Sequence, residues 1–295
     1  MTALETMTSL KVRGPFRGGS GHDYHTRAFV RGFARLGTAV ELEEFTDWCM
    51  PLPPALQDPY FDQLSAAVPS ATQVQFVMPP QVALHSGLRV ANYTMFEATP
   101  VPLSWAARAN ECAMTVVPTQ SSFDAWVAAG VAPARLRRCP LGVRAGLDDP
   151  SVAALALRTP SGRPVGAFAH RFLNIGEMIP RKNQLGLVAA WVRATAPADD
   201  AVLVMKLNQF RYGLAEPFVA DVNDVFRAAG GGPESCAPFV FITDYLPDAD
   251  AAVETMRAII DDRAPAKRSP QQRICEEYAW DKVSRRLLDV LAELA

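Results

Sequence analysis

Apolar and polar residues run along the chain in stretches whose period switches between that of strands and that of helices, which predicts an α/β protein. Residues 9–13 (SLKVR) form a short strand that enters a glycine-rich loop, GPFRGGSG at 14–21. Residues 23–36 (DYHTRAFVRGFARL) carry apolar side chains at helical spacing, and Gly37 stands where a helix-ending glycine belongs. Residues 38–45 (TAVELEEF) alternate as a strand, so 9–45 is expected to be one βαβ unit with the glycines at its first turn. The proline-rich stretch 49–59 reads as an irregular loop. Further strands are expected at 72–78, 88–94 and 113–117, with a helix around 103–111 and another at 121–129 that opens on a serine and is followed by Gly130. RRCPLGV at 137–143 ends this half.

Residues 148–164 combine Asp-Asp-Pro, a short Ala/Leu helix and SGRP, the composition of a linker. A second βα pattern then begins. A strand at 167–175 (AFAHRFLNI) leads into the turn GEMIPRKN at 176–183 and a helix at 184–194 (QLGLVAAWVRA). A strand at 201–207, a helix at 216–229 and a strand at 239–243 follow. Such alternation argues for parallel sheets covered by helices on both faces.

Composition narrows the function without choosing it. A chain of 295 residues, 49% apolar and 20% charged, is long enough for two domains with their own cores. A net charge of −2 gives no global field toward nucleic acid, and although local basic loops could still bind it, no nucleic-acid partner is expected. Five cysteines, at 49, 112, 139, 236 and 275, show no CxxC and no Cys/His cluster at zinc spacing, so they read as free thiols in a reducing compartment. The start, MTALETMTSL, lacks the basic region and long apolar run of a signal peptide, and no stretch approaches the roughly 20 apolar residues of a membrane span. The expected location is the cytoplasm, with peripheral contact to a membrane face left open.

The candidate chemistry sits on the two βα loops. Backbone N–H groups at a helix start, joined by Arg and Lys side chains, suit a phosphate-bearing ligand. Gly18, Gly19 and Gly21 serve either a tight turn or contact with a phosphate-bearing ligand, and the family resemblance set out below favours contact with a diphosphate or acceptor. Arg181 and Lys182, after Gly176, are either solvated charges or phosphate ligands. His22 and His25 are either helix-start surface residues or imidazoles that orient a ligand hydroxyl or accept a proton. Glu97, after a first-half strand, is a solvated charge or a carboxylate for a ligand hydroxyl, and Lys206 and Asn208, which end a second-half strand, are strand-end residues or neighbours of a bound donor. A nicotinamide-binding dehydrogenase would need GxGxxG and an acidic residue ending the second strand. Glu43 and Glu44 could serve, but GPFRGGSG has the wrong spacing.

The opening GPFRGGSGHDYHTRAFVRGFARLG, the stretch VVPTQSSFDAWVAAGVAPARLRRCPLGV (116–143), FLNIGEMIPRKNQLGLVAAWVRA (172–194) and FVFITDYLPDAD (239–250) resemble retaining glycosyltransferases of family 4, which have the GT-B fold. The resemblance covers most of 9–250 and returns in ICEEYAWDKVSRRLLDVL (274–291), which looks like the family's closing helices. It implies two Rossmann-like domains facing a cleft. Residues 1–147 would form the acceptor-side domain, with 277–295 packing back on it, 148–164 the linker and 165–276 the donor domain. It further implies a nucleotide-sugar donor, a glycan, lipid-linked or small-molecule acceptor, retention of anomeric configuration, and neither cofactor nor metal. Lys182 matches the family's diphosphate lysine. A second basic residue often follows the glycine matched by Gly176, and here Glu177 stands there, leaving Arg181 to supply the charge. After DYLPDAD the family continues to a pair of glutamates eight positions apart that bind the donor's ribose and sugar. Here AAVETMRAIIDD follows directly, so the donor domain reads as truncated. We read the sequence as lacking a stretch that a working enzyme possesses; the alternative is a catalytically inactive GT-B-like binding or scaffold protein.

Overall fold

In the first strand, β1 (Ser9–Gly14), every second side chain is buried, with Leu10 and Val12 fully enclosed. A computed structural model of the chain describes residues 7–46, 51–96, 99–143, 155–177, 180–208, 215–243, 274 and 276–294. They belong to two compact units, Met1–Ala145 with Arg268–Ala295, and Gly146–Lys267.

The first unit holds a parallel sheet of β1, β2 (Ala39–Glu44), β3 (Thr72–Gln75), β4 (Arg89–Tyr93), β5 (Met114–Val117) and β6 (Leu136–Arg138), in the order β2-β1-β3-β4-β5-β6. β1 pairs with β2 on one side and β3 on the other, so 9–45 is a βαβ unit and the strand order reverses beside β1. In open α/β sheets ligands bind at the carboxyl ends of strands at such a reversal. Helices α1 (Gly21–Arg35), α2 (Leu103–Glu111) and α3 (Gln120–Ala128) connect the strands. α1 begins two residues before the apolar periodicity does, because Ser20 caps it, and Gly37 follows its end at φ +85°. α3 is capped by Thr119, whose hydroxyl accepts the Ser122 N–H, and not by Ser121. β3 stops at Gln75, three residues short of the apolar run.

The second unit holds a parallel sheet of β7 (His170–Glu177), β8 (Ala201–Asn208) and β9 (Phe239–Ile242), in that order, with helices α4 (Gln184–Ala194) and α5 (Ala215–Ala228). On one face Val188 and Trp191 of α4 and Phe218, Val222 and Phe226 of α5 enclose Leu203, Met205 and Leu207. On the other face Val165 and Phe168 pack against Val202, Val204 and Ile242, joined by Leu155 and Leu157. Residues 155–157 are not helical, the Leu157 N–H donating to the Leu155 carbonyl at 2.8 Å, and Leu155 and Leu157 belong to this core; the rest of the expected linker helix lies outside the described residues. β7 also begins and ends later than the sequence suggests. It pairs with β8 as far as Glu177 opposite Asn208, so Gly176 sits in the strand and not in the turn.

The closing helix, α6 (Trp280–Ala292), completes the first core. Trp280, Val283, Leu287, Leu288 and Leu291 pack with Phe29 and Phe33 of α1, Val74, Phe76 and Tyr93. Each such burial is worth about 1.5–3 kcal/mol, so α6 is held firmly although some 240 residues separate it from α1. The two helices approach closely at Gly32, where a Cβ would lie 2.0 Å from the Ser284 hydroxyl oxygen. Only a residue without a side chain fits there.

Candidate functional site

The carboxyl end of β7 and the start of α4 bring several sequence-selected residues together. A short 3₁₀ turn, Pro180–Lys182, follows β7 across two undescribed residues. Asn183 then takes the left-handed conformation, φ 50°, with its N–H donating to the Pro180 carbonyl at 3.1 Å and its own carbonyl accepting the Leu187 N–H at 3.0 Å. Gly186, one turn on, makes room for the Asn183 side chain: a Cβ at 186 would lie 2.4 Å from its amide. This geometry folds the turn back over the strand end. A Cβ added at Gly176 would meet the Gln184 Nε2 at 3.4 Å and the Lys182 Cγ and Cδ at 3.8 and 4.0 Å. Those are ordinary contact distances, so packing does not demand glycine at 176, and Gly176, the Lys182 stem and the Gln184 amide are neighbours at the strand end. Arg181 and Lys182 are exposed, while Gln184, which sequence reasoning passed over, is almost wholly buried at the first position of α4.

On the neighbouring strand, Lys206 pairs in register with Ile175 and Asn208 with Glu177. Lys206 is buried and its ammonium donates to the Leu207 carbonyl at 3.1 Å, so it is held within the sheet end. The Asn208 side chain lies outside the described residues, as does Glu97. Among the described residues no group of three or more His, Cys, Asp and Glu side chains could hold a metal ion, and no helix is long and apolar enough to cross a membrane.

The first-unit loop departs from expectation. The Asp23 carboxylate fills the anion position at the start of α1, accepting the Gly18 N–H at 2.7 Å, the Ser20 N–H at 3.2 Å and the Ser20 hydroxyl. The Ser20 hydroxyl in turn accepts the Asp23 N–H, which completes a capping box. Arg27, also buried, donates to the Phe16 and Gly18 carbonyls at 2.8 and 2.6 Å. Both polar groups of Gly18 are therefore committed inside the protein, and its amide is not available to a phosphate. Arg17, the cation of this loop, is engaged by Glu44 at 2.9 Å and Asp62 at 2.6 Å. Gly19 is half-buried; Gly21 is exposed, with nothing within 4 Å of a Cβ added to it. Any ligand contact on this loop comes from its outer part, at Gly19 and Gly21.

The two histidines separate. His22 is half-buried at the second position of α1. His25 is enclosed by the rings of Phe76, Tyr93 and Phe29, with centroids 5.3, 5.9 and 6.4 Å away, and neither ring nitrogen makes a hydrogen bond. Burial, followed by the charge of His22, holds its pKa well below the ordinary value of 6.5, against a weak opposing pull from the Gly21 backbone. His25 is a neutral core residue that no substrate reaches, and a catalytic role for it is withdrawn.

No protein-family model and no curated protein sequence matches the chain. Solved structures do. HepE of Anabaena, in complex with UDP-glucose, is 12% identical over 81% of this chain and 70% of its own, with a TM-score of 0.51. Sucrose-phosphate synthase of Thermosynechococcus elongatus is 11% identical over 84% of this chain and 74% of its own, with a TM-score of 0.52. A glycosyltransferase of Rickettsia africae is 11% identical over 86% of this chain and 71% of its own, also at 0.52. The fold is GT-B-like. At such identities the likeness carries architecture and not residue roles. In this GT-B-like chain the second-unit turn gathers a glycine, a lysine and a buried amide at a strand's carboxyl end, while the first-unit loop has satisfied most of its own donors.

Proposed function

We propose that the chain is a glycosyltransferase that takes a sugar from a nucleotide-diphosphate donor and passes it, with retention of configuration and without a metal ion, to a hydroxyl acceptor in glycan or glycoconjugate synthesis. The observation that carries this reading is the meeting of Lys182, Gln184 and Gly176 at the carboxyl end of β7. Lys182 and Arg181 offset the charge that builds on the diphosphate as the anomeric bond breaks. The lack of a side chain at Gly176 would let a phosphate approach the strand-end backbone, with the buried Gln184 amide beside it. In a retaining transfer the acceptor attacks from the face the leaving group vacates, and a phosphate oxygen takes its proton. HepE, whose structure contains UDP-glucose, makes UDP-sugars the first donors to try. The acceptor is a glycan, lipid-linked or small-molecule hydroxyl met in the cytoplasm or at the cytoplasmic face of a membrane.

The test is a thermal-shift screen of UDP-, GDP- and ADP-sugars, followed by a hydrolysis assay on every donor that binds. Stabilisation by at least one donor with release of its nucleoside diphosphate is expected. Binding without turnover favours the catalytically inactive reading, and no binding by any donor contradicts the proposal.

A further inference from the structure

We propose that Gln184 is a positioning residue whose buried amide holds the Lys182 stem across Gly176, so that the ammonium meets a diphosphate already oriented, a role that rests on reading the turn after β7 as a diphosphate site. Gln184 opens α4, yet only 3% of it is exposed. Long polar side chains ordinarily stay in water, and burying a carboxamide costs free energy unless hydrogen bonds hold it. A carboxamide held that way keeps one direction. Here a Cβ built on Gly176 would lie 3.4 Å from the Gln184 Nε2 and 3.8 and 4.0 Å from the Lys182 Cγ and Cδ. The amide of one residue and the stem of the other therefore border the same point at the end of β7.

The backbone around them is already fixed. Asn183, at φ 50°, donates its N–H to the Pro180 carbonyl and accepts the Leu187 N–H, and its side-chain amide fills the place that a side chain at 186 would need. Asn183 thus ties the turn to the helix, and Gln184 ties it to the strand. Lys182 is the exposed member, with a four-carbon stem that rotates freely where nothing restrains it. An ammonium on a free stem loses rotamer freedom when it engages phosphate. A stem already laid along Gly176 and the Gln184 amide loses less, and the difference appears as affinity. Gln184 then acts on the diphosphate through Lys182, and the two side chains must be energetically coupled in binding.

The experiment is a double-mutant cycle read by titration calorimetry with UDP, which carries the diphosphate and has no sugar to transfer. The four proteins are the parent, Gln184→Met, Lys182→Ala and the double variant. Methionine keeps the length of glutamine without its amide. Gln184→Met should weaken UDP binding about fivefold in the parent background, and by less than about twofold once Lys182 is alanine. A residue that merely supports the fold would weaken binding by the same factor in both backgrounds. Thermal midpoints verify that each variant is folded, and Gln184→Leu enters the cycle if Gln184→Met does not fold. A parent that binds neither UDP nor UDP-glucose overturns the diphosphate reading and this role with it. A parent that binds, with Gln184→Met equal to it or equally harmful in both backgrounds, overturns the role of Gln184 alone.

Discussion

Replacing His25 by Phe should remove a pH-dependent part of the protein's stability, with a size that follows from where the ring sits. In the unfolded chain the imidazole titrates near 6.5; in the fold it is held well below that by burial first and His22 second. Above pH 6.5 both states carry a neutral ring and His25 contributes nothing to the pH dependence. Below 6.5 the unfolded chain takes up a proton that the folded chain refuses, so stability falls with falling pH. Between pH 7.5 and pH 5.5 this linkage amounts to about 1.4 kcal/mol, provided the folded ring stays neutral throughout. Phe fits the aromatic surroundings of Phe29, Phe76 and Tyr93 and has no proton to gain. The titratable groups facing the ring are His22, 5.4 Å away, and the Tyr93 phenol, which donates to the Cys139 carbonyl; both remain in the variant. Urea denaturation at pH 7.5, 6.5 and 5.5 should show the variant gaining about 1.4 kcal/mol on the parent across the range. Parallel pH curves for the two proteins would refute the reasoning and return His25 to the surface.

Asp23→Ala should destabilise the first unit by about 2–3 kcal/mol in the same denaturation assay, because the buried Gly18 N–H and the cap of α1 lose their acceptor; a loss under about 0.5 kcal/mol would contradict the capping box. Gly32→Ala should cost about 1–3 kcal/mol by forcing α6 off α1 at Ser284, read as a lower thermal midpoint, and an unchanged midpoint would deny the close approach. Burial pushes the Cys112 thiol up to about 11 and the Cys139 thiol to about 12, so at pH 7.5 neither should react with Ellman's reagent until the chain unfolds. Mass-spectrometric mapping of labelled peptides checks this, and prompt labelling of either would place it at the surface.

What the sequence made legible was whatever rests on periodicity. The alternation at 9–13 and 38–45 and the helical spacing between them became β1, β2 and α1, and the second βα pattern became β7 and α4. What it hid were partners set by tertiary contact. GPFRGGSG reads as a phosphate loop because its composition is right, yet Glu44 and Asp62 claim Arg17 from other segments. Asp23 was readable: Ser20-x-x-Asp23 has the spacing of a capping box, and such a box uses the amides a phosphate would want. His25 was readable as well, since it lies one turn before Phe29 and two before Phe33 on the apolar stripe of α1. Lys182 came beside Gly176 as a βα turn suggests, but the buried Gln184 left no mark, because glutamine at a helix start is usually exposed.

The central claim is that the turn after β7 holds a nucleotide diphosphate. Isothermal titration calorimetry of UDP-glucose into the parent and into Lys182→Ala tests it most directly. A charge-assisted phosphate contact is worth about 1.5–3 kcal/mol, so the parent should bind and the variant should bind at least tenfold more weakly, with an unchanged unfolding midpoint. Equal affinity in the two proteins would contradict the account.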